Sequence, residues 1–220
     1  MARSEPRRPR RLSANQRAAP SAELVIITGL SGSGKGSVLK VFEDLGYYSV
    51  DNLPIGLIPK FAELTRDSAS IRFAALVVDI REGTGLKRFP AIYARIRREI
   101  PTRLIFMEAD DDTIVRRFSE TRRPHPLGTG QSISKSIRQE RQMLAPIRKL
   151  ADLTINTSKF TVHELRDFIR EKFVGERETG TWGRSNNDAG DNKPEERRAP
   201  GRRGEREGES LRECPALAGL

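Results

Sequence analysis

The residues best suited to chemistry form a glycine-rich segment, Gly29-Leu30-Ser31-Gly32-Ser33-Gly34-Lys35. Its spacing fits the G-x-x-x-x-G-K part of a phosphate-binding loop, or P-loop. Glycines let successive backbone N–H groups turn toward a phosphate, a helix N-terminus adds partial positive charge, and the Lys35 ammonium can reach the outer phosphates. We therefore predict phosphate binding here; the alternative is an ordinary glycine-rich turn beside a surface lysine.

The next residue departs from that motif. A P-loop normally has Ser or Thr after the lysine, and its hydroxyl ligates Mg²⁺; here the residue is Gly36. Ser37 is not a simple substitute, because one helical residue rotates a side chain by about 100°. The sequence therefore predicts that the phosphate cradle is kept, that direct ligation of Mg²⁺ by the protein is weakened, and that water fills the missing position.

Two carboxylates are predicted to lie near this loop. Asp79 ends the apolar run 73–80, at the place where a carboxylate would hold a Mg²⁺-bound water, although it would equally serve as a cap for the next loop. Asp51 is expected at the same edge of the sheet, because ligands gather at the carboxyl ends of parallel strands. A simple turn at Asp51 is the alternative.

A basic loop supplies the remaining candidates for catalysis. Arg122 and Arg123, in the segment TRRPHPL, are placed to neutralise charge on a terminal phosphate, or else to grip RNA or to remain as solvated positive charge. His125 in this loop is a weak signal, and His163 is predicted to lie on a helix surface.

Alternating strand and helix patterns are predicted to position these residues. Apolar runs predict strands at 23–28, 47–50, 73–80, 103–108 and 153–156. Helical spacing predicts helices at 35–45, 55–64, 86–100, 132–150 and 161–173 and one carrying 113–118, with caps at Asp110 and Thr161 and a bend or a new helix at Pro146. The alternation predicts an α/β fold, a P-loop NTPase-like three-layer sandwich with a mostly parallel sheet.

Composition divides the 220 residues into three parts. Residues 1–22 hold six arginines and one glutamate and are predicted to be a disordered basic leader rather than a signal peptide. Residues 23–174 contain nearly all strong apolar runs and are predicted to form the nucleotide-binding domain. Residues 175–220 hold nine basic and ten acidic residues with eight glycines, which predicts a disordered polar tail. The single cysteine excludes a disulfide framework, and no apolar run is long enough to span a membrane.

Several blocks in order resemble the RapZ family of nucleotide-binding proteins, also called RNase adapters. They are GLSGSGKG, EDLGYYSVDNLP, VDIRE, ETRRPHPL and ERQMLAPIRKLADLTINTS, between about Glu23 and Phe173. The resemblance implies binding of ATP at Gly29–Gly36, binding of GTP at Asp79-Ile80-Arg81-Glu82, and modest ATPase and GTPase activity. It also implies a regulatory role, in which some members present small RNAs to an endoribonuclease. The family usually has Ser or Thr at position 36, and its second domain is not expected in the polar segment after Val174.

Two other functions remain open at this point. The net charge of +10, the basic leader and the arginine-rich helix would suit an RNA-binding protein without nucleotide hydrolysis. A P-loop followed by Asp51 and an arginine-rich loop would also suit a small-molecule kinase, although no acceptor site is recognisable. The cytoplasm is the expected compartment, because neither a signal peptide nor structural cysteines are present. The patterns leave the oligomeric state open.

Overall fold

A computed structural model of the protein describes residues 22–68, 70–122, 124–128 and 132–178. Five strands alternate with six helices within these residues. The strands are β1 (Glu23–Gly29), β2 (Tyr48–Val50), β3 (Phe73–Val77), β4 (Thr102–Glu108) and β5 (Leu153–Asn156). The helices are α1 (Lys35–Asp44), α2 (Ile58–Asp67), α3 (Phe89–Glu99), α4 (Asp111–Thr121), α5 (Ile133–Arg148) and α6 (Val162–Glu178), with 3-10 turns at Ile55–Leu57 and Ile80–Arg88.

The strands form one parallel sheet in the order β2-β3-β1-β4-β5. The first strand in sequence is the central one, and Ile27 pairs with Val77 of β3 on one side and Ile105 of β4 on the other. Every residue of β1 is buried, which explains its continuous apolar run. The carboxyl ends of β1, β3 and β4 therefore meet at the middle of one sheet edge.

Helices cover both faces of the sheet. Leu24 and Ile26 of β1 point into a core cluster with residues of α2, α3 and α5, whereas Val25 and Ile27 point into a second cluster with residues of α1 and α6. This alternation follows from the period of two along a strand. The predicted α/β class, with three layers and a parallel sheet, is confirmed.

Several predicted boundaries differ from the structure. The strand predicted at 73–80 ends at Val77, so Asp79 lies beyond it and begins the 3-10 segment Ile80–Arg88. That segment includes residues 86–88, so the helix predicted at 86–100 begins at Phe89; within the segment, Gly83 has a φ of 53° and interrupts helical geometry. Pro146 begins no new helix; it lies inside α5, in the last turn before Arg148.

The two predicted helix caps have different outcomes. The Thr161 hydroxyl accepts from the Glu164 N–H at 3.2 Å, and the Glu164 carboxylate accepts from the Thr161 N–H at 2.7 Å, so the capping box is confirmed. The side-chain cap at Asp110 is wrong. Asp110 precedes α4, but its carboxylate accepts from the Asn156 side chain at 3.2 Å instead of from the helix.

Helix α6 continues past Phe173, its predicted end, to Glu178. Residues 175–178, predicted to begin the disordered tail, therefore belong to α6. Residues 1–21 of the predicted leader, residues 179–220 of the predicted tail and Arg123 lie outside the described residues. Within the described part of the chain, no helix combines the length and the apolar character needed to cross a membrane.

Candidate phosphate-binding site

The glycine-rich loop leaves the end of β1 with a backbone that requires glycine. Gly29, Gly32 and Gly34 have φ values of 132°, 79° and 93°. A Cβ on Gly29 would lie 2.0 Å from the carbonyl oxygen of Met107, so this position also requires glycine for the close approach of β4. The Leu30 N–H donates to the same carbonyl at 2.9 Å. The loop is thus folded tightly against the carboxyl end of β4.

Four N–H groups at the end of this loop have no acceptor among the described residues. They belong to Gly32, Gly34, Lys35 and Gly36. The last two open helix α1, whose first N–H groups have no partner within the helix. Unpaired N–H groups at a helix N-terminus form a site for an anion, because the donors and the helix dipole favour negative charge.

Lys35 is buried within the loop, with 8% of its surface exposed. Its ammonium donates to the carbonyl oxygens of Gly29 at 2.9 Å and Leu30 at 3.0 Å. Burial lowers the pKa of Lys35, while the negative charges of Asp79, Glu140 and Asp51 act in the opposite direction. An ammonium has three protons to donate, so one remains for a further acceptor.

Two side chains brace the loop by its carbonyl groups. The Arg117 guanidinium in α4 donates to the Gly32 carbonyl at 2.9 Å and to the Thr157 carbonyl at 3.0 Å. The Thr157 hydroxyl, just after β5, donates to the Ser33 carbonyl at 3.0 Å. Because the carbonyl groups of Gly32 and Ser33 are bonded on the protein side, the loop is held with its N–H groups available to a ligand.

Ser31 connects the loop to a buried carboxylate. Its N–H and its hydroxyl both donate to Oε1 of Glu140 in α5, at 3.0 and 2.8 Å. Oε2 of Glu140 lies 3.1 Å from Nε2 of His125, and both of these side chains are buried. The sequence singles out Ser31 and, weakly, His125, but gives no sign that α5 joins them.

The four residues expected to contact GTP, 79–82, range from buried to exposed. The half-buried Asp79 accepts from the Arg81 N–H at 3.4 Å, so the capping role considered for it is present. It is also the acidic residue that most raises the pKa of Lys35, which places its charge near the loop. Ile80 is a core residue, Glu82 accepts from the Ile55 N–H at 3.2 Å, and Arg81 is exposed. Asp79 and Arg81 are therefore the members whose charges reach the loop.

Two other predicted site residues, Asp51 and Arg122, are exposed. Asp51 is exposed after β2, and its charge also acts on Lys35. Arg122 is exposed at the end of α4 in a left-handed conformation, with a φ of 50°. The arginine that contacts the loop is Arg117, one helical turn and a residue earlier, and the placement of Arg122 on a terminal phosphate stays a prediction.

The residues present suit Mg²⁺ only in combination with phosphate. Among the described residues, no group of three or more His, Cys, Asp and Glu side chains is placed to hold a metal ion. Mg²⁺ commonly keeps several waters and takes one or two carboxylates together with substrate phosphates. Asp79 fits this partial role. Gly36 supplies no hydroxyl, although a Cβ there would meet nothing within 4 Å.

Sequence reasoning missed Arg117, Thr157 and Glu140. Each lies far along the chain from its partner in the loop, by 85, 124 and 109 residues. For Glu140 and Thr157, the one available signal was their position in the block ERQMLAPIRKLADLTINTS, whereas Arg117 lies outside all five blocks that carry the family resemblance. That resemblance did not say which of the residues in those blocks contact the loop.

Curated relatives match about seven tenths of the chain. A nucleotide-binding protein from Solibacter usitatus is 75% identical over 156 residues, covering 71% of this chain and 49% of the relative. The nucleotide-binding protein Acid345_3782 from Koribacter versatilis is 62% identical over 152 residues, covering 69% of this chain and 50% of the relative. The chain thus spans about half the length of the curated relatives that it matches.

The chain is also similar to a solved structure and matches a family model. Shikimate kinase from Acinetobacter baumannii, in complex with shikimate, is 16% identical with a TM-score of 0.49, covering 72% of this chain and 96% of that one. The RapZ-like N-terminal domain matches residues 22–177, which include all five strands, the glycine-rich loop and every residue that braces it. The chain therefore belongs to the RapZ-like N-terminal domain family.

Proposed function

We propose that this chain binds ATP and GTP through Gly29–Gly36, hydrolyses them weakly, and acts as a nucleotide-dependent regulator. The observation that carries the proposal is the set of N–H groups at Gly32, Gly34, Lys35 and Gly36 that have no acceptor among the described residues, in the same loop as the buried Lys35 side chain. That arrangement supplies directional donors and a positive charge in one small volume, which suits a chain of phosphates. The names of the curated relatives as nucleotide-binding proteins support it.

The backbone N–H groups, Lys35, Asp79 and the arginines have different roles in this proposal. The four N–H groups bind the inner phosphate oxygens, and the remaining proton of Lys35 is donated to an outer one. Mg²⁺, when bound with the nucleotide, would neutralise phosphate charge, and Asp79 would hold it through water. Arg81 adds positive charge near Lys35, and Arg122 and Arg123 are proposed to approach the terminal phosphate.

Weak hydrolysis follows from residue 36. Gly36 removes the hydroxyl that usually ligates the metal, so orientation of the terminal phosphate depends on water and Asp79. A slow turnover suits a regulator, whose bound nucleotide reports its concentration, better than it suits an enzyme of high flux. The proposed target of this regulation is an RNA-processing partner, as in the adapter members that the chain resembles.

Replacing Lys35 by Ala tests the site. We expect ATP affinity to fall by at least about tenfold, because a charge-assisted hydrogen bond contributes about 1.5–3 kcal/mol. Isothermal titration calorimetry with ATP and GTP, each with and without Mg²⁺, measures the affinity. Lys40→Ala is the matched control, since Lys40 is an exposed lysine on the same helix. Equal affinity of the wild type and the Lys35 variant would show that the nucleotide binds elsewhere.

A further inference from the structure

Glu140 forms one buried hydrogen-bonded unit with Ser31 and His125. The Glu140 side chain is fully buried, and its two oxygens accept from three groups: the Ser31 N–H, the Ser31 hydroxyl and His125 Nε2. Ser31 belongs to the glycine-rich loop, Glu140 to α5, and His125 to the segment 124–128. Three separate parts of the chain thus meet at one carboxylate.

The proton on His125 has a defined place. The Leu127 N–H donates to Nδ1 of His125 at 3.1 Å, so Nδ1 is an acceptor and carries no proton. Nε2 then holds the proton of the neutral ring and donates it to Glu140. The Phe118 ring, 5.1 Å from the His125 ring, also packs beneath Gly32, where an added Cβ would lie 3.3 Å from it. His125 is therefore fixed on both sides.

A carboxylate in this position is costly for a fold to keep. A buried charge loses its hydration, and apolar residues of similar volume often stabilise a protein as well or better. Glu140 faces the core from α5, between Ile137 and Leu144, where an apolar residue would continue the buried stripe. What an apolar residue would not provide is an acceptor for both Ser31 donors and a negative charge acting on Lys35.

We propose that Glu140 is a positioning residue of the phosphate-binding loop, and that His125 sets the orientation of its carboxylate. Glu140 holds the turn Leu30–Gly32 by both donors of Ser31, so that the following N–H groups point to the phosphates. It also keeps a negative charge beside the Lys35 ammonium. This inference rests on the proposed nucleotide binding and deepens it, because it assigns the loop geometry to a residue outside the motif.

The test is the variant Glu140→Gln in the full chain. A carboxamide keeps an oxygen for Ser31, but it removes the charge and places an N–H₂ donor against Nε2 of His125. We expect ATP affinity, measured by calorimetry, to fall about tenfold. Ser31→Ala, which removes only one donor, should lower it about threefold and serves if the first variant does not fold.

A pH profile separates positioning from mere stability. Lys35 is faced by Asp79, Glu140, Asp51 and Arg81, and removal of the Glu140 charge lowers the pKa of Lys35 further. Lys35 then loses its proton at lower pH, so ATP affinity in the Glu140→Gln variant should decline at lower pH than in the wild type. A purely structural role would leave the midpoint of this profile unchanged.

Asp152→Asn is the matched control. Asp152 is a half-buried carboxylate that accepts hydrogen bonds from the Tyr93 hydroxyl and the Leu104 N–H, but it precedes β5, at the opposite edge of the sheet. It should lower the melting temperature and leave ATP affinity and its pH profile as in the wild type. Wild-type affinity and pH profile in folded Glu140→Gln, or wild-type affinity in folded Ser31→Ala, would overturn this inference alone. A wild-type chain that binds no nucleotide would overturn the proposed function itself.

Discussion

Gly36 is the residue at which the glycine-rich loop departs from the P-loop motif. It lies in the first turn of α1, is exposed, and has open space where a side chain would begin. The backbone there needs no glycine, because Gly36 is not among the residues with positive φ. The missing hydroxyl is therefore a chemical difference and not a consequence of the fold.

Replacing Gly36 by Ser should make nucleotide binding more dependent on Mg²⁺. The new hydroxyl would stand where P-loops place their metal ligand, so the ratio of ATP affinities with and without Mg²⁺ should rise about tenfold. Calorimetric titration under both conditions measures the ratio. Ser37→Ala is the control, since that side chain is turned about 100° away. A ratio unchanged by Gly36→Ser would mean that Mg²⁺ is held without this position.

The sequence identifies the glycine-rich loop itself but not the distant residues that hold it in place. The glycine spacing identifies Gly29–Gly36 because the motif is contiguous. The sequence does not identify Glu140 as a site residue, because its partner Ser31 is 109 residues away. A charged residue in a helix also ordinarily faces water. Only the packing of α5 against the sheet reveals that this glutamate is buried.

At the scale of the elements, α6 links the stability of the fold to the site. Its residues Leu165, Ile169 and Phe173 are buried at four-residue spacing in the cluster with α1. Leu165 also lies close to Gly34, where an added Cβ would be 3.6 Å from its Cδ2. The start of α6 thus packs against the turn that opens α1.

Replacing Thr161 by Ala should weaken the start of α6. Loss of the N-cap hydroxyl costs about 1 kcal/mol of the free energy of unfolding. Urea denaturation followed by circular dichroism measures this change. Val162→Ala, at an exposed position beside it, should cost less than about 0.5 kcal/mol. Equal stability of wild type and Thr161→Ala would show that the Glu164 half of the capping box is sufficient.

The elements themselves were largely predictable, because each has a local signal. Continuous apolar runs identified buried strands, and helical spacing identified the helices between them. The 3-10 segment Ile80–Arg88 was not predicted, since it depends on Gly83 and on the Glu82 carboxylate accepting from the distant Ile55 N–H. The order β2-β3-β1-β4-β5 likewise depends on pairing between strands far apart in sequence, for which local patterns carry no information.

For the whole molecule, both core clusters lie between Leu24 and Phe173. Burial of apolar surface is the main stabilising contribution to a fold. A chain limited to residues 22–178 should therefore unfold cooperatively at the melting temperature of the full chain, within about 2 °C. Differential scanning calorimetry of the two chains checks this.

A chain ending at residue 160 provides the comparison. It loses α6, and with it Leu165, Ile169 and Phe173 from the second cluster. We expect it to melt at a much lower temperature or to lack a cooperative transition. If the 22–178 chain behaved in the same way as this shorter one, the stabilising contacts would extend beyond the described residues.

The residues that hold the glycine-rich loop also determine at what stage of folding the loop takes its final shape. Its bracing residues Arg117, Glu140 and Thr157 come 85, 109 and 124 residues after their partners in the loop. Contacts of such separation form late, because closing long loops costs entropy before they are made. Thr157 lies just after β5, so the glycine-rich loop can be fully held only after β5 has joined the sheet. Under the proposed function, a chain that ends before Thr157 would not bind nucleotide, and bound nucleotide would mark a molecule in which β5 and the residues that hold the loop are in place.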